Sequence, residues 1–315
     1  MIARLLKQLK PLLRWLILGG TLFFIAKTLK DHWQEVAHLQ LSPQSIYLLP
    51  AAFSITLGAH IWSGWVWHWV LALLHQPQPG SWTTPIYLKT NVAKYLPGNV
   101  WHFWGRIRAL QQTKTPTGTA ILAVIIEPLL MAIAALIWAC LCGSQLSHQL
   151  IGHHSSIIQG LVLASILIAI HPRIFNPILK KLSQAKAKAQ KLPVETPPSP
   201  SPLQTYPLKP LLGEMGFIGA RSLGFILIIA TFTPTLPTLP TLITAFSLAW
   251  LLGLIVPGAP GGIGIFEATT LFLLANQLPA ATLLSSIALY RLISILAEVT
   301  AAGAVWLLEH TVKTR

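Results

Sequence analysis

ILAVIIEPLLMAIAALIW, residues 121–138, carries a single charged side chain, Glu127, in an otherwise apolar run. A helix that crosses a bilayer needs about 20 mostly apolar residues, and the longer run 119–143 supplies them. Similar runs lie near 11–29, 44–67, 155–172, 211–233, 240–257 and 282–308. Too many apolar helices follow one another here for a single soluble core to hide them, so lipid is the solvent that fits.

Composition agrees. The 315 residues are 53% hydrophobic and 10% charged, with a mean hydropathy of +0.63; soluble domains are roughly a quarter charged. Asp31 is the only aspartate, and with so few carboxylates a carboxylate-rich metal or phosphate-transfer centre has little to build on. The net charge of +14 sits in three clusters: the N-terminus, Lys89 to Lys114, and Arg173 to Lys209. Two apolar runs separate each cluster from the next, which is the positive-inside pattern of a multi-pass membrane protein, not a nucleic-acid-binding pattern; the location expected is the bacterial plasma (inner) membrane. The N-terminus and the central linker are thus expected in the cytoplasm. Arg4, Lys7, Lys10 and Arg14 could open a signal peptide, but no small-residue cleavage site follows, so 11–29 reads as the first span. Cys140 and Cys142 point to different faces of one helix and cannot form a disulfide scaffold.

The fold expected is all-α: a polytopic integral membrane helical bundle, one membrane domain over 1–315, with seven or eight spans in two halves. The first half runs from about 10 to 175, a basic Pro-rich linker from about 180 to 209, and the second half from about 210 to 310. Lys313 and Arg315 favour a cytoplasmic C-terminus and eight crossings. The linker joins Lys and Ala to PPSPSP, a composition that cannot bury enough apolar surface to fold alone. Its lysines either form a solvated topogenic loop or touch anionic headgroups.

Each half holds one Pro-Gly element, YLPGNVWH at 95–102 and VPGAPGGIG at 256–264. Irregular backbone at membrane depth is tolerated only where protein or a water-filled cavity satisfies it, so paired breaks of this kind point to a transport site or, more plainly, to two interfacial turns. Their backbone-setting residues are Pro97, Gly98 and Gly105 in the first, and Pro257, Gly258, Gly261, Gly262 and Gly264 in the second. Phe266 to Asn276 is too short to cross and reads as a re-entrant or broken helix.

A charge at mid-span costs on the order of 2.5–3.5 kcal/mol, which makes Glu127, Glu214, Arg221, Glu267, Arg291 and Glu298 functional candidates. Glu214 with Arg221, and Arg291 with Glu298, are seven residues apart and share a helix face, yet about 10 Å of rise separates each pair. Each charge therefore needs a partner from another helix, from water or from a substrate. The competing reading is that these charges only lock the bundle by pairing with one another. Arg106 and Arg108 lie where a phosphate would approach, and arginine grips phosphate with a bidentate fork, although both could be purely topogenic. Trp62, Trp65, Trp67, Trp69, Trp101 and Trp104 read as interface anchors. His148, His153 and His154 share a loop without thiolate or carboxylate company, and no HExxH, CxxC, P-loop or Rossmann pattern occurs, so no metal and no cofactor is expected.

Lys94-Tyr-Leu-Pro-Gly-Asn-Val-Trp, then Gly105-Arg106, Glu127, and Pro260-Gly-Gly-Ile-Gly-Ile-Phe-Glu267 occur in an order that resembles the flippase-like membrane domain of lysylphosphatidylglycerol synthases, over about residues 10 to 308. The resemblance implies movement of a lipid or lipid-linked group between leaflets, with Arg106, Glu127 and Glu267 at matching positions. It also implies that lysine transfer is not inherited, because the chain reaches only Arg315, short of a following aminoacyl-transferase domain. Where some members carry a basic residue before the late glutamate, this chain has Phe266.

Three functions follow as expectations. The first is a non-enzymatic flippase acting on a membrane lipid, an anionic phospholipid or lipid-linked group. In it Arg106 with Arg221 or Arg291 holds phosphate, and Glu127 and Glu267 hold a cationic group or a proton. The second is a membrane-embedded transferase with Glu127 or Glu267 as general base. The third is a non-transporting partner of another membrane complex. The lipid, the direction and the oligomeric state are left open by the sequence.

Overall fold

A computed structural model describes residues 27, 30, 33–37, 40–96, 100–144, 155–189, 203–256 and 262–313. Among them all regular structure is helical. After a short α1 (Trp33–Ala37) come α2 (Ser45–Leu73), α3 (Gly80–Asn91), a 3-10 turn (Val92–Tyr95), α4 (Trp101–Gln112) and α5 (Thr117–Cys142). They are followed by α6 (Ser155–Ala169), α7 (Pro172–Ala189), α8 (Leu208–Ala230), α9 (Leu239–Ile255), α10 (Ile265–Leu274) and α11 (Ala280–Lys313).

The order contains a repeated unit. In the first half the long helices α2 and α5 flank the short pair α3 and α4; in the second, α8 and α11 flank α9 and α10. Each Pro-Gly element falls between the two short helices of its unit. Of the motif residues, Pro97, Gly98, Pro257, Gly258 and Gly261 lie outside the described residues, as do the run 11–25, most of 26–29, and His148, His153 and His154. The units are interleaved: α8 packs along α2, α9 along α5, and α11 against both α2 and α3. One apolar core gathers Trp67, Leu71, Ile107, Ile121, Ile126 and Leu130. A second gathers Phe225, Phe246, Phe266, Leu274 and Tyr290.

Four helices, α2, α5, α8 and α11, are long and apolar enough to cross a membrane, and a fifth crossing is possible if α6 and α7, bent by 70°, count as one. The apolar run at 240–257 becomes α9, a helix of 17 residues, short of a full span. By length and composition the described residues thus supply four or five of the crossings expected from apolar runs, and the run 11–29 lies almost wholly outside them. Outward-facing residues fit a lipid solvent: Ile46, Ile157, Leu161 and Phe272 are exposed, the last 79% so. In water such a surface would be an association patch.

Two sequence expectations change in detail. Trp62, Trp65, Trp101 and Trp104 are exposed, as interface anchors would be, but Trp67 is fully buried in the first core, where it stacks on Trp82. The stretch expected as linker from residue 180 begins as helix, because α7 continues to Ala189, and Leu203 is buried with its backbone held by the Asn176 amide.

The glycines of the second element have a steric cause. Gly262 and Gly264 take φ of 70° and 93°, the left-handed region that side chains avoid. A Cβ on Gly262 would come within 2.8 Å of the Gly253 carbonyl oxygen on α9. Gly262→Ala should therefore lower stability by about 1–3 kcal/mol, read as a lower thermal midpoint in detergent. Gly303→Ala, where a Cβ meets nothing within 4 Å, should leave it unchanged.

Candidate functional site

The short helices and the long ones close around a half-open, largely apolar cavity of about 610 Å³ that charged side chains enter, a size typical of small-ligand sites. Arg106, Glu127, Arg221, Arg291 and Glu298 all line it, joined by Lys94, His60 and Tyr87, which sequence reasoning had not singled out as site residues. Glu267 stands behind Arg291. The charges that looked scattered over five helices thus converge on one space.

On the α3–α5 side, Arg106 donates from Nη1 to Glu127 Oε2 at 3.0 Å, and Tyr87 donates to Glu127 Oε1 at 2.7 Å while accepting from Ser63. Arg106 is 1% exposed, its guanidinium lies 3.7 Å from the Tyr87 ring centroid, and its Nε and Nη2 donate to Thr90 Oγ1 and Asn91 Oδ1. Gly105 permits this approach, since a Cβ there would meet the Thr90 methyl at 2.8 Å. Pro128 follows Glu127 inside α5 and lacks an N–H, which loosens the helix where the carboxylate faces the cavity. Arg106 and Glu127, read separately from sequence as holders of substrate groups, are each other's partner. Arg108, two residues further along α4, is exposed and rests over Trp104 outside the cavity lining.

On the α10–α11 side, Arg291 donates from Nε to Glu267 Oε1 at 2.6 Å and from Nη2 to the Gly262 carbonyl at 3.2 Å. Glu267 Oε2 accepts from the Gly264 N–H at 2.6 Å. A carboxylate in the first turn of α10 is favoured by the helix dipole, so Glu267 both caps that helix and ties the glycine turn to α11. It too is committed to a partner.

The centre differs. Glu298 Oε1 takes Lys94 Nζ at 2.5 Å and His60 Nε2 at 3.2 Å. Lys94 lies in the 3-10 turn outside the spanning helices; burial pulls its ammonium below the ordinary lysine range, and the Glu298 carboxylate pulls it back up. Arg221 reaches Ser294 Oγ at 2.9 Å and His60 Nε2 at 3.4 Å. A single imidazole nitrogen either accepts from Arg221 or donates to Glu298. Arg221 is 3% exposed, and it makes no ion pair with a carboxylate among the described residues. Aromatic faces of Trp250 and Tyr290 flank its guanidinium at 5.3 and 4.9 Å. Arg221 Nε and the neighbouring Trp250 Nε1 are buried N–H donors with no acceptor among the described residues. Each such donor costs on the order of 1–3 kcal/mol, more on a charged group.

Glu214, seven residues before Arg221, is fully buried on α8, and neither of its oxygens has a hydrogen-bond partner among the described residues. No group of three or more metal-binding side chains occurs among the described residues.

The family model described as Lysylphosphatidylglycerol synthase TM region matches residues 12–303. No curated protein matches the chain.

The two glutamates on this side should respond differently to the neutral amide. Glu127→Gln leaves a buried guanidinium without its counter-charge and should cost about 3–5 kcal/mol. Glu214→Gln removes no observed bond and should change stability by less than about 1 kcal/mol. Chemical unfolding in detergent measures both, and equal losses would contradict the distinction.

Proposed function

We propose a lipid-handling role from one premise: the chain belongs to the lysylphosphatidylglycerol synthase TM region family. Within that family of membrane proteins, related to lipid modification or flipping, the reading best supported is a flippase that moves a lipid or lipid-linked group between leaflets. The carrying observation is Arg221, a buried cation with no carboxylate partner among the described residues, set beside an N–H donor of Trp250 that has no acceptor there. Such a centre suits an anion rich in acceptor oxygens, and arginine suits phosphate. The headgroup phosphate of an anionic phospholipid would enter the cavity between Arg221 and Lys94, while its acyl chains stay in the bilayer.

The remaining charges then have a supporting part. The Arg106–Glu127 and Arg291–Glu267 pairs fix the walls, each tying a short interrupted helix to its neighbour, so the cavity keeps its shape when the headgroup leaves. Interrupted helices at corresponding places in two units are the arrangement expected of a transport site. We place the protein in a bacterial inner membrane with its N-terminus and basic linker in the cytoplasm, and assign it seven or eight crossings. The sequence carries no nucleotide-binding pattern, so the movement is downhill or driven by an ion gradient.

Transbilayer exchange of a fluorescent anionic phospholipid in proteoliposomes tests this. The unaltered chain should exchange it, and Arg221→Gln should slow exchange about tenfold or more, the loss of roughly 1.4 kcal/mol of anion stabilisation. Arg221→Lys should be intermediate, keeping charge without the fork. Exchange unaffected by Arg221→Gln in monodisperse protein would sink the assignment. Covalent conversion of the labelled lipid without exchange would point to a transferase instead.

A further inference from the structure

Helix α7 is bent by 70° from α6 and carries Arg173, Lys180 and Lys181, with Lys186 and Lys188 further along its sequence. Because each cation at mid-span is costly to desolvate, such a helix does not continue α6 across the hydrocarbon. Pro172 at its first position favours a fresh start there.

Around the helix, three faces alternate in a fixed order at 3.6 residues per turn. Phe175 and Leu179, 4% and 0% exposed, pack inward, where α7 contacts α5 and α6. Next to them Ile174, Ile178 and Leu182 form a stripe at spacing four, 45%, 43% and 39% exposed. Beyond that stripe come Lys181, Arg173 and Lys180, all exposed. Asn176, on the opposite side, clamps both backbone groups of Leu203 at 3.0 Å, so the helix is fixed in this orientation. Leu182 and Ala185 reach the cavity lining, while Ile174 and Ile178 do not. The apolar stripe therefore leads from the outside of the bundle to the mouth of the cavity.

We propose that α7 lies in the plane of the membrane surface, docks on anionic headgroups through Arg173, Lys180 and Lys181, and sets its Ile174–Ile178–Leu182 stripe in the acyl boundary as the sill of the cavity. A basic edge beside an apolar stripe is the pattern of an in-plane interfacial helix, and each basic residue near an anionic leaflet adds to the attraction. Charge complementarity selects a lipid surface over a soluble apolar partner. The proposal concerns membrane contact and stands whether or not the protein moves lipid.

The test uses the full chain with Cys140→Ala and Cys142→Ala, an environment-sensitive fluorophore on Ile178→Cys, and vesicles of phosphatidylcholine with or without phosphatidylglycerol. Quenching by nitroxide-bearing lipid should be clear in both, rise about two-fold with phosphatidylglycerol, and lose that rise in Lys180→Ala/Lys181→Ala or at high salt. A probe on Phe272→Cys, on the exposed face of α10, reports correct insertion and should ignore the lysine changes. Ile178 quenched only by aqueous iodide, with Phe272 lipid-quenched as expected, would overturn the proposal. So would an anionic-lipid response that survives the lysine substitutions.

Discussion

A guanidinium in the interior of an apolar bundle must find a counter-charge, a set of acceptors, or a ligand, and this constraint organises the molecule. Arg106 finds Glu127 across two helices, and Arg291 finds Glu267 across another two. Each of these bonds crosses from a long helix to a short one, so satisfying the charge also fixes where the short helices sit. Arg221 is the exception. Its hydrogen bonds go to neutral groups, Ser294 and His60, and its cation rests on aromatic faces. Two pairs that close the walls and one cation without a carboxylate at the centre give the cavity a positive bias that no local interaction among the described residues cancels.

The backbone carries a matching device. The turn before α10 needs left-handed residues at Gly262 and Gly264, and its free backbone groups are taken by the same two side chains that form the wall: Glu267 accepts from Gly264, and Arg291 donates to Gly262. Irregular backbone at membrane depth is affordable only when its polar groups are met inside the protein. The ion pair and the break in the helix are therefore one structural unit, as are Arg106 and the close α3–α4 approach that Gly105 permits.

Much of this was legible in the sequence, and the rest was lost for identifiable reasons. Apolar run length gave the long helices α2, α5, α8 and α11 directly, since periodicity in lipid is a matter of length. The seven-residue spacing of Arg291 and Glu298 showed that they would not pair with each other, and their partners Glu267 and Lys94 indeed come from elsewhere. Which partner each would take was not legible, because it depends on α9, α10 and the short pair α3–α4 folding back into the bundle. Lys94 stood among the basic cluster Lys89 to Lys114, which reads as topogenic; only the fold carries it inward to Glu298. Trp67 looked like its neighbours Trp65 and Trp69, and only its place on the inner face of α2 separates it from them. The amphipathic order of α7 was present in residues 172–185, but those residues straddle the end of an apolar run and the start of a Pro-rich, Lys-rich linker, which divided the helix between two readings.

The central claim is that the cavity's uncompensated cation, Arg221, binds an anionic headgroup, and lipid retention by the purified protein tests it most directly. Native mass spectrometry from detergent, with phosphatidylglycerol and phosphatidylcholine in competition, would count the lipids that stay bound. The account predicts preferential retention of phosphatidylglycerol by the unaltered chain and loss of that preference in Arg221→Gln, with Arg108→Gln, outside the cavity lining, keeping it. Equal retention of both lipids, or a preference that Arg221→Gln leaves intact, would contradict the account.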